Sequence, residues 1–212
     1  MSAESKPQSV NQNFISAAQA AISGSSTQLP TKVLLEQLLS REKIARPQSD
    51  HTFQAYIGTW RLCFVTGTQK PHQHKDRLIG NGFYIPRWVT LQIVYSPGNP
   101  TDYGPQTSES VGQISNQVHW GGLRLALTGP ARCWPKKNII AFDFTRMEFT
   151  AFGKKIYQGF IRGGQASEQT FWENHVRTQA FFAYFLIDEQ VLAARGRGGG
   201  IALWAKTDVP AR

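Results

Sequence analysis

The segment Ala180–Lys206 constrains the chain more than any other. It reads AFFAYFLIDEQVLAARGRGGGIALWAK, in which short apolar runs alternate with turn chemistry. Asp188-Glu189 breaks the first run. Gly196, Gly198, Gly199 and Gly200 break the second, because glycine takes positive φ without a Cβ penalty. Apolar runs of about 4–8 residues between such breakers predict buried strands. Three consecutive antiparallel strands are therefore expected, with Arg195 and Arg197 at the last turn. A ribbon of this kind needs a partner strand elsewhere in the chain.

Tyr56–Thr66, YIGTWRLCFVT, is the strongest candidate. Alternation puts Tyr56, Gly58, Trp60, Leu62 and Phe64 on one face, and Ile57, Thr59, Arg61, Cys63 and Val65 on the other. A Trp just inside a first strand, with an Arg from the last strand stacked on it, can seal the base of a small antiparallel barrel. Trp60 as a plain core residue is the alternative, and both readings stay open.

Strand signals recur at short intervals between these two ends. They cover Phe83–Tyr95, Val111–Trp120, Leu123–Thr128, Asn138–Thr145, Met147–Phe152 and Lys155–Ile161. Gly121-Gly122 and Gly153-Lys154 are hairpin signals. In Asn138–Thr145, Ile140, Phe142 and Phe144 share one face. Evenly spaced strands without intervening helices predict a mainly β, antiparallel up-and-down barrel. Gly163–Gln169 reads as a loop, and Phe171–Gln179 fits helix and strand equally. Gly67–Gly82 and Ser96–Ser110 read as longer surface loops.

Ahead of the barrel, residues 1–30 are Ser/Gln/Ala-rich and are expected to form a flexible tail. Residues 31–46 predict an amphipathic helix, capped by Thr31, with Val33, Leu34, Leu38 and Leu39 on its apolar face. The barrel domain is assigned to 51–207.

Composition agrees with one domain of this class. The charged fraction is 17%, below a typical ~25%, and there are 19 glycines in 212 residues. A net charge of +9 draws the surface towards anions: nucleic acid, acidic protein or anionic lipid. Cys63 and Cys133 are too few for a disulfide framework or a zinc site. No apolar run reaches ~18 residues, and the first 30 residues lack the pattern of a signal peptide. His72 and His74 form a His-x-His loop without a third ligand at recognisable spacing, so no metal is expected. No P-loop, dinucleotide fingerprint, paired carboxylates or triad context is present, so neither catalysis nor a cofactor is expected. Gly196–Gly200 resembles a single RGG element, but repeated disordered tracts carry RNA binding, and here the element sits between apolar strands.

Two stretches carry a family resemblance: the Leu-rich helix followed by Gly58-Thr59-Trp60-Arg61-Leu62, and the ending Tyr184-Phe185-Leu186-Ile187-Asp188 … Arg195-Gly196-Arg197-Gly198 … Ile201-Ala202-Leu203. Over residues 31–206 the chain resembles the plastid lipid-associated proteins, or fibrillins, of chloroplasts and cyanobacteria, with a tighter arginine-glycine turn. The resemblance implies a lipocalin-like barrel that binds or organises a lipophilic molecule (carotenoid, quinone or lipid). The setting it implies is peripheral, at the cytoplasmic side of a thylakoid or at lipid globules, against an anionic membrane surface. Ligand contacts are then expected from Trp60, Leu62, Phe64, Phe142, Phe144, Phe182 and Tyr184, and barrel closure from Gly58, Trp60, Asp188, Arg195 and Arg197. Two alternatives compete. A bilin chromophore lyase of similar barrel shape would need charged groups such as Arg61, Arg124 or Asp143 aimed inward. A nucleic-acid-binding module would rest on charge alone, without an RNP signature.

Overall fold

Period-two alternation, interrupted by tight turns, produces eleven strands in the computed structural model, which describes residues 6–45, 51–68, 79–98 and 110–207. The strands are β1 (Gly58–Thr68), β2 (Ile79–Tyr84), β3 (Val89–Pro97), β4 (Val111–Trp120), β5 (Leu123–Trp134) and β6 (Ile139–Phe142). They continue as β7 (Arg146–Ala151), β8 (Lys154–Phe160), β9 (Ala180–Ile187), β10 (Val191–Gly196) and β11 (Ile201–Thr207). Three helices accompany them: α1 (Lys6–Ser23), α2 (Thr31–Ile44) and α3 (Gly164–Phe171).

Eight strands close into a ring in the order β1-β3-β4-β5-β6-β9-β10-β11, and every neighbouring pair is antiparallel. That order follows the chain, so the barrel is an up-and-down meander. The predicted terminal partnership holds: β1 pairs with β11 from Thr59 opposite Thr207 to Val65 opposite Ala202. Gly121, at φ +56°, turns the β4–β5 hairpin, as its position between two strands predicts.

The ring is complete only towards one end, the base. Gly58–Arg61 of β1 pairs with β3, but Phe64–Thr68 pairs with the inserted β2. In the same way β5 pairs with β6 through Ala131–Trp134, and with β7 through Leu123–Thr128. Among the described residues no ladder joins β2 to β3, or β8 to β9. The wall therefore divides at the mouth into two leaves, β2-β1-β11-β10-β9 and β3-β4-β5-β7-β8.

Two buried clusters flank this wall. The interior one contains Tyr56, Trp60, Tyr95, Ile114, Ile140 and Tyr184. The exterior one packs Phe14, Ala18, Leu34 and Leu38 of α1 and α2 onto Phe64, Ala193 and Leu203. The N-terminal tail expected over 1–30 is thus largely helix α1, whose Phe14, Ile15, Ala18 and Ala21 are buried. Contact with an apolar outer wall forms this helix, because packing rather than propensity stabilises such helices.

Helix α2 begins where predicted, after Pro30, but Thr31 makes no capping bond. Its buried face is Leu34 and Leu38, flanked by Leu35 and Leu39, whereas Val33 is 39% exposed. The predicted loop Gly163–Gln169 is mostly α3, entered through Gly163 and Gly164, both at positive φ. His72 and His74, and most of the loop expected over 96–110, lie outside the described residues. No described helix is long and apolar enough to cross a membrane.

Burial of α2 against the barrel gives a stability prediction. Leu38→Ala should cost about 2–5 kcal/mol in chemical denaturation, against about 0.5 kcal/mol or less for Val33→Ala.

Candidate functional site

Register decides which side chains face the inside. Trp60 and Leu62 point inward, as expected, but the ladder slips between Leu62 and Phe64 so that Cys63 forms a bulge. One extra residue reverses the parity of everything after it. Phe64 consequently faces outward, against Tyr84 at 5.4 Å and the helices, and does not line the interior. A matching slip in β9 places both Phe185 and Leu186 outside, while Phe182 and Tyr184 stay inside. Phe142 and Phe144 also face in.

At the base these rings pack on each other. A 3-10 turn, Phe53–Tyr56, plugs the end, with Phe53 edge-on to Tyr95 at 5.8 Å and Tyr56 against Tyr184 at 4.8 Å. The Trp60 indole Nε1 donates to the Tyr56 carbonyl at 2.7 Å. The predicted Arg stack on Trp60 is absent: its cation is Lys206, 5.3 Å from the ring. Antiparallel pairing explains the difference, since it sets Lys206 opposite Trp60 and puts the arginine turn beside Thr66 at the far end of β1.

The two arginines expected at closure bond away from Trp60. Arg195 forms a two-point ion pair with Glu42 of α2, at 2.6 and 2.5 Å. Arg197 donates to the carbonyls of Thr178 and Gln179. Asp188 organises the β9–β10 turn and accepts a bond from Asn11. Gly58 sits at φ +135°, where β1 starts.

Above the plug the interior changes character. Strand β5 alternates Leu123, Leu125 and Leu127 inward with Arg124, Ala126 and Thr128 outward, and β7 aligns Ala151, Phe149 and Met147 with those leucines. Leu91 and Val118 continue the same concave face on β3 and β4. All these apolar positions are only partly buried, unlike Trp60, Ile114 and Ile140 below them, which are fully buried. Asn116, opposite both Ile93 and Leu127, is exposed on this face and gives it a polar group. At the rim stand Trp88 and Trp120, 67% and 58% exposed and 6.4 Å apart. Of the residues singled out from sequence, Leu62, Phe144 and Phe182 are only partly buried against the interior cluster, whereas Trp60, Phe142 and Tyr184 are buried within it. The β5 leucines were missed because the alternation that marks them also marks ordinary core; nothing in it says which half of the barrel stays open.

The charged candidates for an inward-facing site are engaged elsewhere. Arg61 reaches the Arg87 carbonyl, Arg124 pairs with Glu148 at 2.5 Å, and Asp143 accepts from the Phe144 amide at 2.9 Å. Among the described residues no three His, Cys, Asp or Glu side chains cluster as metal ligands.

No family model and no curated protein matches the chain. Among solved structures it is similar to one described as a redesigned beta barrel, at 9% identity and a TM-score of 0.33, over 78% of this chain and 98% of that one.

Polar groups buried on the two sides of the wall carry the predictions for this region. The Tyr95 and Tyr184 hydroxyls share a hydrogen bond of 2.6 Å, whereas the Tyr56 hydroxyl has no partner among the described residues. Tyr184→Phe should therefore cost about 1–2 kcal/mol by orphaning its partner, and Tyr56→Phe should be neutral or stabilising in the same denaturation assay. Burial pushes the Cys63 and Cys133 thiols up to about 12, from an ordinary value of 9.0. Between those values the folded chain holds protons that the unfolded chain has released, so stability should fall as pH rises from 9 towards 12. At pH 8 neither thiol should react with Ellman's reagent until the protein unfolds.

Proposed function

We propose that this protein is a non-enzymatic carrier or organiser of an extended lipophilic molecule, held in the cleft between the two leaves. The observation that carries the reading is the partly open, apolar concave face formed by Leu123, Leu125, Leu127 and Phe149 above a floor packed with aromatic rings. Ligand sites are concave, mostly apolar and sparing in polar groups, and Asn116 would supply one such group. The sequence resemblance adds carotenoid, quinone or lipid as ligand classes, and a photosynthetic membrane or lipid globule as the setting.

The mouth also suits contact with a bilayer. Trp88, Trp120 and Phe152 are exposed at or near the rim, and Arg87, Lys154 and Lys155 adjoin them in sequence. Aromatic rings settle at the depth of lipid headgroups, and each basic side chain near an anionic surface is worth about 1 kcal/mol. A cleft that opens onto the membrane would exchange ligand with it without passage through water.

Organic extraction of the purified protein should release a carotenoid, quinone or lipid. Decyl-plastoquinone should quench its tryptophan fluorescence saturably. Leu125→Lys should weaken that binding by roughly tenfold or more while the melting temperature changes little, since a charge replaces a half-exposed apolar contact. Association with anionic liposomes should fall as salt is raised. Equal quenching in wild type and variant would reject the cleft as the site.

A further inference from the structure

A second concavity, of about 480 Å³, lies on the outer surface between α3 and the leaf built from β4, β5, β7 and β8. One face of α3 lines it: Gln165, Glu168, Gln169 and the following Trp172, at helical spacings of three, four and seven. Opposite stand Gln113, Thr128, Arg146 and Phe160, which alternation turns away from the barrel interior. The groove is therefore separated from the lipophile cleft by the thickness of the sheet.

Its chemistry differs from that of the cleft and of the surface as a whole. The chain carries +9, yet the charged side chains lining this groove are Arg146 and Glu168, which neutralise each other. Arg146 donates to both carboxylate oxygens, at 2.8 and 2.9 Å, and Thr145 donates to the same carboxylate at 2.6 Å. Those bonds, chiefly the ones from Arg146, hold the Glu168 carboxyl below its ordinary range against the cost of burial. The Arg146 guanidinium also lies 4.9 Å over the Phe160 ring. Gln113, Gln165 and Gln169 are all exposed, and their amides are not engaged by other described side chains.

We propose that this groove binds a neutral saccharide of one or two rings. Three glutamines present planar amides, each with two donors and an acceptor, which matches vicinal hydroxyls that both donate and accept. Trp172, which lines the groove, and the side of the half-exposed Phe160 ring away from Arg146 are apolar surfaces against which the C–H face of a sugar ring can lie. The neutralised Arg146–Glu168 pair contributes fixed acceptors and donors without a net field. A phosphate or nucleotide would need surplus cation here, and an acyl chain would need a dry apolar wall; the groove supplies neither. A single carboxylate leaves the groove without the paired acids of glycoside hydrolysis, so the role is binding.

Saturation-transfer NMR with glucose, galactose, maltose and lactose tests this on the full chain. Transfer to at least one sugar is expected, with affinity in the millimolar range or tighter. The Gln165→Ala/Gln169→Ala double variant alters only exposed side chains and should weaken that affinity tenfold or more. Trp172→Ala should do the same, with folding checked by circular dichroism. Silence across all four sugars from folded protein would overturn the proposal. So would undiminished binding in the double variant, or glucose 6-phosphate binding more tightly than glucose.

Discussion

The antiparallel seam between β1 and β11 is the constraint on which the rest depends. It joins strands about 140 residues apart in sequence, so it must be held by side-chain packing strong enough to offset the entropy of closing so long a loop. The interior ring stack and the exterior helices supply that packing from opposite sides of the same two strands. The seam also fixes which end of β1 meets which end of β11. Lys206, rather than an arginine, covers Trp60 for that reason, and the arginine turn is left free to anchor α2 through Glu42.

Two bulges convert this seam into a surface that can hold helices. Cys63 in β1 and Phe185 in β9 each add one residue, and each turns an extra large side chain outward. Phe64, Phe185 and Leu186 then form the apolar seat of α1 and α2. A regular strand would have turned Phe64 inward beyond Leu62, on the half of the interior nearer the mouth. Gly82 shows how closely the displaced ring packs, since a Cβ there would lie 1.9 Å from the Phe64 ring.

The inserted strands have the opposite effect at the mouth. By taking hydrogen-bonding edges that β3 and β6 would otherwise use, β2 and the β7–β8 hairpin keep the two leaves apart. Half-buried leucines at the mouth and fully buried rings at the base are consequences of the same pairing pattern. Arg146 and Phe160 of that hairpin also line the outer groove, opposite α3.

Local patterning was enough to establish the antiparallel meander, the Gly121-Gly122 turn, the face shared by Ile140, Phe142 and Phe144, and the pairing of the first strand with the last. All but the last depend on residues close together in sequence or on a period of two; the last follows because a closing ribbon needs a partner and Tyr56–Thr66 is the strongest strand left to supply it. The side of the wall taken by Phe64, the cation over Trp60, the packing of α1 and the division of the interior into floor and cleft depended on tertiary structure. A bulge, an ion-pair partner and a missing hydrogen-bonding edge are properties of two segments meeting, and neither segment carries them alone. The sequence by itself determined that a barrel would form; only the register between distant strands decided where that barrel is closed, where it is open and what faces the opening.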